Sequence, residues 1–113
     1  MSSISLKDKV AIVTGGGKGI GQAIAKRFAS SGASVAIWDL DEKAGNETVN
    51  AIRNDGGTAQ AFSSDVSDQA SVQNASKRTI EQLGRVSILV NNAGIAHIGT
   101  AETTNEEDFD RIL

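Results

Sequence analysis

Five glycines fall within seven residues, from Gly15 to Gly21, and an apolar run stops where they begin. Val10-Ala11-Ile12-Val13 is short and wholly apolar, as a strand covered on both faces requires. Past the glycines the period changes. Ile20, Ile24 and Phe28 recur every four residues, with Ala23 and Ala25 between them, which predicts one buried face of a helix. A strand, a glycine-rich turn and a helix in that order bring bare backbone N–H groups to a helix N-terminus. The unpaired donors and the positive end of the helix dipole suit a phosphate or pyrophosphate there. Glycine at the close-approach positions removes the side chain that would hold such a ligand away.

The spacing separates this loop from other phosphate loops. A P-loop closes on Gly-Lys-Ser/Thr, whereas this one runs Gly19-Ile20-Gly21-Gln22. No three glycines have the Gly-x-Gly-x-x-Gly spacing. The pattern that fits is Thr14-Gly15-x-x-x-Gly19-x-Gly21.

The remainder of the chain alternates strand and helix. Lys9 to Thr14 is the first predicted strand, and the first helix runs from Gly19 to Ser31, closed by Gly32. Ser34 to Asp39 is the second strand. Asp41 to Asn54 is the second helix, with Ala44, Val49 and Ile52 towards the sheet, and Asp55-Gly56-Gly57 ends it. Thr58 to Ser64 is the third strand. Ser67 or Asp68 caps a third helix whose apolar face reads Val72, Ser76, Ile80 and Leu83, with Gly84 at its end. Val86 to Val90 is the fourth strand, followed by a loop from Asn91 to Thr103. Thr103-x-x-Glu106 and Thr104-x-x-Glu107 are capping boxes for a last helix. The spacing predicts an α/β fold: a Rossmann-type doubly wound parallel sheet with right-handed crossovers, truncated after about four strands. Residues 1–113 read as a single domain, with no linker, low-complexity segment or sequence repeat.

Ligands of such sheets bind outside the carboxyl ends of the strands. Three groups of residues stand there besides the glycine loop: Asp39-Leu40, Asp65-Val66, and Asn91-Asn92-Ala93-Gly94. With the Thr-Gly-x-x-x-Gly-x-Gly loop they occur in the order and spacing of the short-chain dehydrogenase/reductase family, which the chain resembles over essentially its whole length. The opening Leu6-Lys-Asp-Lys-Val-Ala-Ile-Val-Thr-Gly looks most like the β-ketoacyl reductase and acetoin reductase branches.

The resemblance implies an NAD(P)-binding domain in a homo-oligomeric oxidoreductase; with no apolar run of membrane-span length and no signal-like apolar core at the N-terminus, the sequence reads as cytoplasmic. Such an enzyme moves a hydride between nicotinamide and a ketone or secondary alcohol. Carried over by position, Gly15, Gly17, Lys18, Gly19, Ile20 and Gly21 wrap the pyrophosphate. Asp39, with Leu40 after it, meets the adenosine ribose; Asp65 and Val66 hold the adenine; Asn92, Ala93 and Gly94 line the ribose on the nicotinamide side. Asp39 lies eighteen residues beyond Gly21, where a carboxylate accepts both ribose hydroxyls and repels a 2′-phosphate. That favours NAD over NADP. Lys18 points the other way, since a basic residue before the second glycine often accompanies NADP in the family. Trp38 stands either by the adenine pocket or buried among helices.

Composition closes off other classes. A net charge of −3 leaves no footprint for nucleic acid or an anionic membrane. Without cysteine and with one histidine, His97, the chain has no disulfide, no thiolate nucleophile and no His/Cys metal cluster. His97, in the loop after the Asn-Asn-Ala-Gly motif, reads as incidental, and the acid-rich run Glu102 to Asp110 as a solvated first helical turn. No tyrosine is present. In the family the tyrosine of a Tyr-x-x-x-Lys motif carries the proton and a serine holds the carbonyl oxygen; neither matches here, so the chain reads as the N-terminal, cofactor-binding part of a longer reductase and as inactive by itself. It would be marginally stable or self-associating through an open fourth strand. Two other readings fit: a stand-alone dinucleotide-binding module acting as a sensor, and an interaction domain that has lost its ligand. Intact Gly15, Gly19, Gly21 and Asp39 argue against the last.

Overall fold

The computed structural model describes residues 5–92. Seven elements alternate: β1 (Val10–Thr14), α1 (Gly19–Ser30), β2 (Ser34–Trp38), α2 (Glu42–Asn54), β3 (Thr58–Phe62), α3 (Gln69–Leu83) and β4 (Ile88–Asn91). The strands form one sheet in the order β3-β2-β1-β4, with every pair parallel. Chain order steps outward from β1 to β3, then returns across the sheet to place β4 on the far side of β1. The reversal lies at β1, and the glycine turn leaves its carboxyl end. The predicted last helix, Ala93, Gly94, His97 and the run Glu102 to Asp110 lie outside the described residues.

Alternation along the strands divides the core into two layers. Val13, Val35, Ile37 and Ala59 point to one face, where Ala25 of α1 and Val49 and Ile52 of α2 cover them. Ile12, Ala36, Trp38 and Phe62 point to the other, where Ala75, Val72 and Leu83 of α3 pack. β1 is buried along its whole length, as a strand with helices on both faces must be.

The expected helical faces need two corrections. Ile20 is 73% exposed, while Ile24 and Phe28 do pack on the core. α1 starts in the loop beyond the carboxyl end of the sheet, so its first turn overhangs the strands. On α3 the inward residues are Ala75 and Thr79, and Ile80 is 53% exposed. Thr79 is drawn inward by hydrogen bonding. Its hydroxyl accepts from Trp38 Nε1 at 3.1 Å and donates to the Ala75 carbonyl at 2.7 Å. An apolar pattern cannot register a polar residue that is buried because it is paired.

Acidic side chains cap α2 and α3. Asp41 accepts from the Ala44 N–H, and Asp68, one of the two expected capping residues, accepts from the Ala70 N–H. β4 pairs only with β1 among the described residues, and its Leu89 is 39% exposed. No helix among the described residues is long and apolar enough to cross a membrane.

Replacing Thr79 by Val keeps the volume and removes both hydrogen bonds, leaving the buried Trp38 N–H without an acceptor. Thr79→Val should destabilise the chain by about 1–3 kcal/mol. Urea unfolding followed by the fluorescence of Trp38, the single tryptophan, measures it.

Candidate functional site

The glycine loop is held from three sides. The Gly17 N–H donates to Asp39 Oδ2 at 2.9 Å, and the Gly17 carbonyl accepts from the buried Thr48 hydroxyl of α2 at 3.3 Å. Thr48 in turn accepts from Gln22 Nε2 of α1 at 3.2 Å. On the other side Asn92 Nδ2 donates to the Gly15 carbonyl at 3.3 Å. At the end of β1, Thr14 Oγ1 lies 3.0 Å from Asn91 Oδ1 of β4. The loop therefore has its shape before any ligand arrives.

The glycines differ in what they do. A Cβ on Gly17 would stand 2.7 Å from Asp39 Oδ2 and 2.8 Å from the Ala44 backbone. A Cβ on Gly21 would stand 2.1 Å from the Gly15 carbonyl oxygen, so no side chain fits without moving backbone. These two glycines permit α1 and α2 to close on the loop. Gly19 faces open space and has φ of +55°, so its requirement is conformational.

The carboxyl ends of β1, β2 and β3 border one open cleft of about 370 Å³. Gly15 lies at one end, Asp65, Val66 and Ser67 at the other, and Trp38, Asp39, Leu40 and Ser64 complete the lining. Of the predicted residues, Gly15, Asp39, Leu40, Asp65 and Val66 thus converge on one cleft, although fifty residues separate the first from Asp65. Leu40 is 69% exposed, an apolar side chain left on the rim. Gly17 and Gly21 are buried in the packing behind the loop. Lys18, Gly19 and Ile20 are exposed at the start of α1.

The electrostatics favour an ordered, acidic rim. Asp39 Oδ1 accepts from the Asp41 N–H at 2.9 Å, so each Asp39 oxygen already takes one backbone donor and keeps a lone pair for another. Lys18 does not stand free: its ammonium lies 3.0 Å from Asp41 Oδ2. Asp41 sits below the usual carboxylate range, first because of the Ala44 N–H and then because of Lys18, whose own pKa is raised by that partner. Asp65 is also lowered, by the hydroxyl and the N–H of Ser67. The N-terminus of α1 differs from those of α2 and α3 in having no side-chain cap on its Ncap residue, Lys18; like α3 it has no acid in its first turn. The first N–H groups of a helix have no partner within it, so these donors remain for an anion.

Three residues that shape the loop or cleft are not singled out as site residues by the sequence: Thr48, Asp41 and Ser64. Asp41 had a local signal, as an acid at the start of an amphipathic helix. Thr48 had none beyond its place on the inward face of α2.

A profile of the short chain dehydrogenase family matches residues 9–113. The chain belongs to the short-chain dehydrogenase family. It is 46% identical to an uncharacterised oxidoreductase of Thermotoga maritima over 110 residues, which are 97% of this chain and 43% of that protein. It is 41% identical to the D-threitol dehydrogenase of Mycolicibacterium smegmatis over 108 residues, 96% of this chain and 42% of that one. Among solved structures, a 7α-hydroxysteroid dehydrogenase complexed with NADH and 7-oxo glycochenodeoxycholic acid superposes with a TM-score of 0.76 and 41% identity. That match covers 77% of this chain and 34% of the other. This short-chain dehydrogenase chain therefore spans about two-fifths of the length of the curated relatives it matches.

Asp41 and Asp65 both have folded-state pKa values below their unfolded ones. Their contribution is present above the unfolded carboxylate pKa and lost as pH falls through the folded values. Stability should therefore drop below about pH 4. Asp41→Asn keeps an N-cap acceptor but removes the charge. In that variant the difference in urea midpoint between pH 7 and pH 3 should shrink.

Proposed function

We propose that the cleft binds a nicotinamide adenine dinucleotide and that the chain is the cofactor-binding domain of an oxidoreductase acting on a ketone or secondary alcohol. The observation that carries the reading is the meeting of Gly15, Asp39, Leu40, Asp65 and Val66 in one cleft beside the uncapped N-terminus of α1. The loop from Gly15 to Gly21 takes the pyrophosphate on backbone N–H groups, Asp39 the adenosine ribose, and Asp65 with Val66 the adenine. The family motif assigns the second ribose to Asn92, Ala93 and Gly94, and of these Asn92 donates to the Gly15 carbonyl.

When bound, the nicotinamide supplies or accepts the hydride. The residues of this chain bind and orient the cofactor, and none of them is assigned the proton transfer. Residues 1–113 hold no tyrosine for the family's Tyr-x-x-x-Lys proton transfer, which supports reading this chain as inactive by itself. The D-threitol dehydrogenase and the hydroxysteroid dehydrogenase carry hydroxyl-bearing substrates in their names, which supports the alcohol or ketone class. The opening segment supports a place near the β-ketoacyl and acetoin reductase branches. The exposed Leu89 on β4 supports self-association.

NAD is favoured over NADP. A 2′-phosphate would approach Asp39 and, close by, Asp41, while the charge of Lys18 is already taken up by Asp41. The stand-alone binding module remains the second reading, supported by a loop that is pre-shaped within this chain.

Titrating the purified chain with NADH and NADPH, followed through Trp38 fluorescence, tests the reading. Saturable binding that prefers NADH is expected. Asp39→Ala should weaken it by about 10- to 100-fold, the worth of hydrogen bonds to a charged group. A folded chain that binds neither nucleotide overturns the assignment.

A further inference from the structure

Among the described residues one buried side-chain polar atom has no hydrogen-bond partner, Ser64 Oγ. Ser64 is 4% exposed and lines the cleft between Trp38 and Asp65. A buried hydroxyl left unpaired is destabilising, so it needs an explanation. Every other buried hydroxyl of the described residues has a use. Thr79 serves Trp38, Thr48 serves Gly17, and Thr14 lies against Asn91. Beside it, Asp65 Oδ1 accepts from the Ser67 hydroxyl and N–H, and the Asp65 N–H donates to the Ser71 hydroxyl, so neither Ser67 nor Ser71 serves Ser64.

Sheet order tells which part of a ligand reaches this hydroxyl. The glycine loop leaves β1, Asp39 follows β2, and Ser64 follows β3, the outermost strand on that side. Two strand spacings amount to about 10 Å. A dinucleotide with its pyrophosphate at the β1 loop and a ribose at Asp39 therefore brings its purine to the β3 exit. There it meets a floor and rim of Trp38, Val66 and Leu40. A purine offers ring nitrogens as acceptors and, in adenine, an exocyclic amine as donor. A hydroxyl pairs with either.

We infer that Ser64 is an adenine-recognition residue, its hydroxyl kept unpaired in the free protein and satisfied by the base of the bound cofactor. The inference rests on the dinucleotide reading and adds a residue to it. Ser64 acts on binding and takes no part in the chemistry.

The test compares wild type with Ser64→Ala, using ADP-ribose and AMP as probes in calorimetry and thermal unfolding of the ligand-free chain. Ser64→Ala should weaken both probes about three- to tenfold, the worth of one neutral hydrogen bond. The unfolding midpoint without ligand should stay level or rise, because an unpaired polar atom is removed. Equal affinity in the two proteins overturns the inference and leaves the dinucleotide reading standing; a trapped water satisfying the hydroxyl gives this result. A lower midpoint without ligand also overturns it, since the hydroxyl then has a partner in the free protein. Absence of ADP-ribose binding by folded wild type overturns the dinucleotide reading and this inference with it.

Discussion

The hydrogen bond from the Gly17 N–H to Asp39 ties the end of β2 to the loop that leaves β1. Most of the cleft depends on it. Gly17 has no room for a side chain because Asp39 and the Ala44 backbone press against it. The same carboxylate turns the chain into α2 by accepting from the Asp41 N–H, and Asp41 then caps that helix and holds Lys18. One acidic residue at a strand end thus sets the loop, the start of the next helix and the charge at the rim.

That arrangement explains why the loop needs glycines of different kinds. Closing α1 and α2 on the sheet leaves Gly17 and Gly21 without space, while the turn itself needs a left-handed residue at Gly19. Behind the loop, Thr48 and Gln22 join the two helices to the Gly17 carbonyl. Asn92 holds the opposite flank. An anion approaching the first turn of α1 therefore meets donors already in place, and little ordering remains to be done on binding.

The alternation of elements was legible because backbone demands leave strong marks. A short apolar run, a glycine cluster and acids at strand ends mark β1, the loop and the strand exits, and Asp39, Leu40, Asp65 and Val66 line one cleft there. Helix faces were less legible. Ile20 fits the period yet overhangs the sheet, because the loop pushes the first turn of α1 past the strand ends. Ile80 fits the period on α3, but Thr79 took the inward position by pairing with Trp38. Ser64 carried no signal at all. Its significance comes from burial without a partner, which only three-dimensional packing reveals.

The most direct measurement is a map of backbone amide shifts in the ¹⁵N-labelled chain as ADP-ribose is added. The account predicts saturable shifts concentrated at Gly15 to Gly21, at Asp39 and Leu40, and at Ser64 to Ser67. The amides at the opposite, amino-terminal ends of the strands should stay still. Shifts gathered at those amino-terminal ends, or no shifts in a chain with a dispersed, folded spectrum, would contradict it.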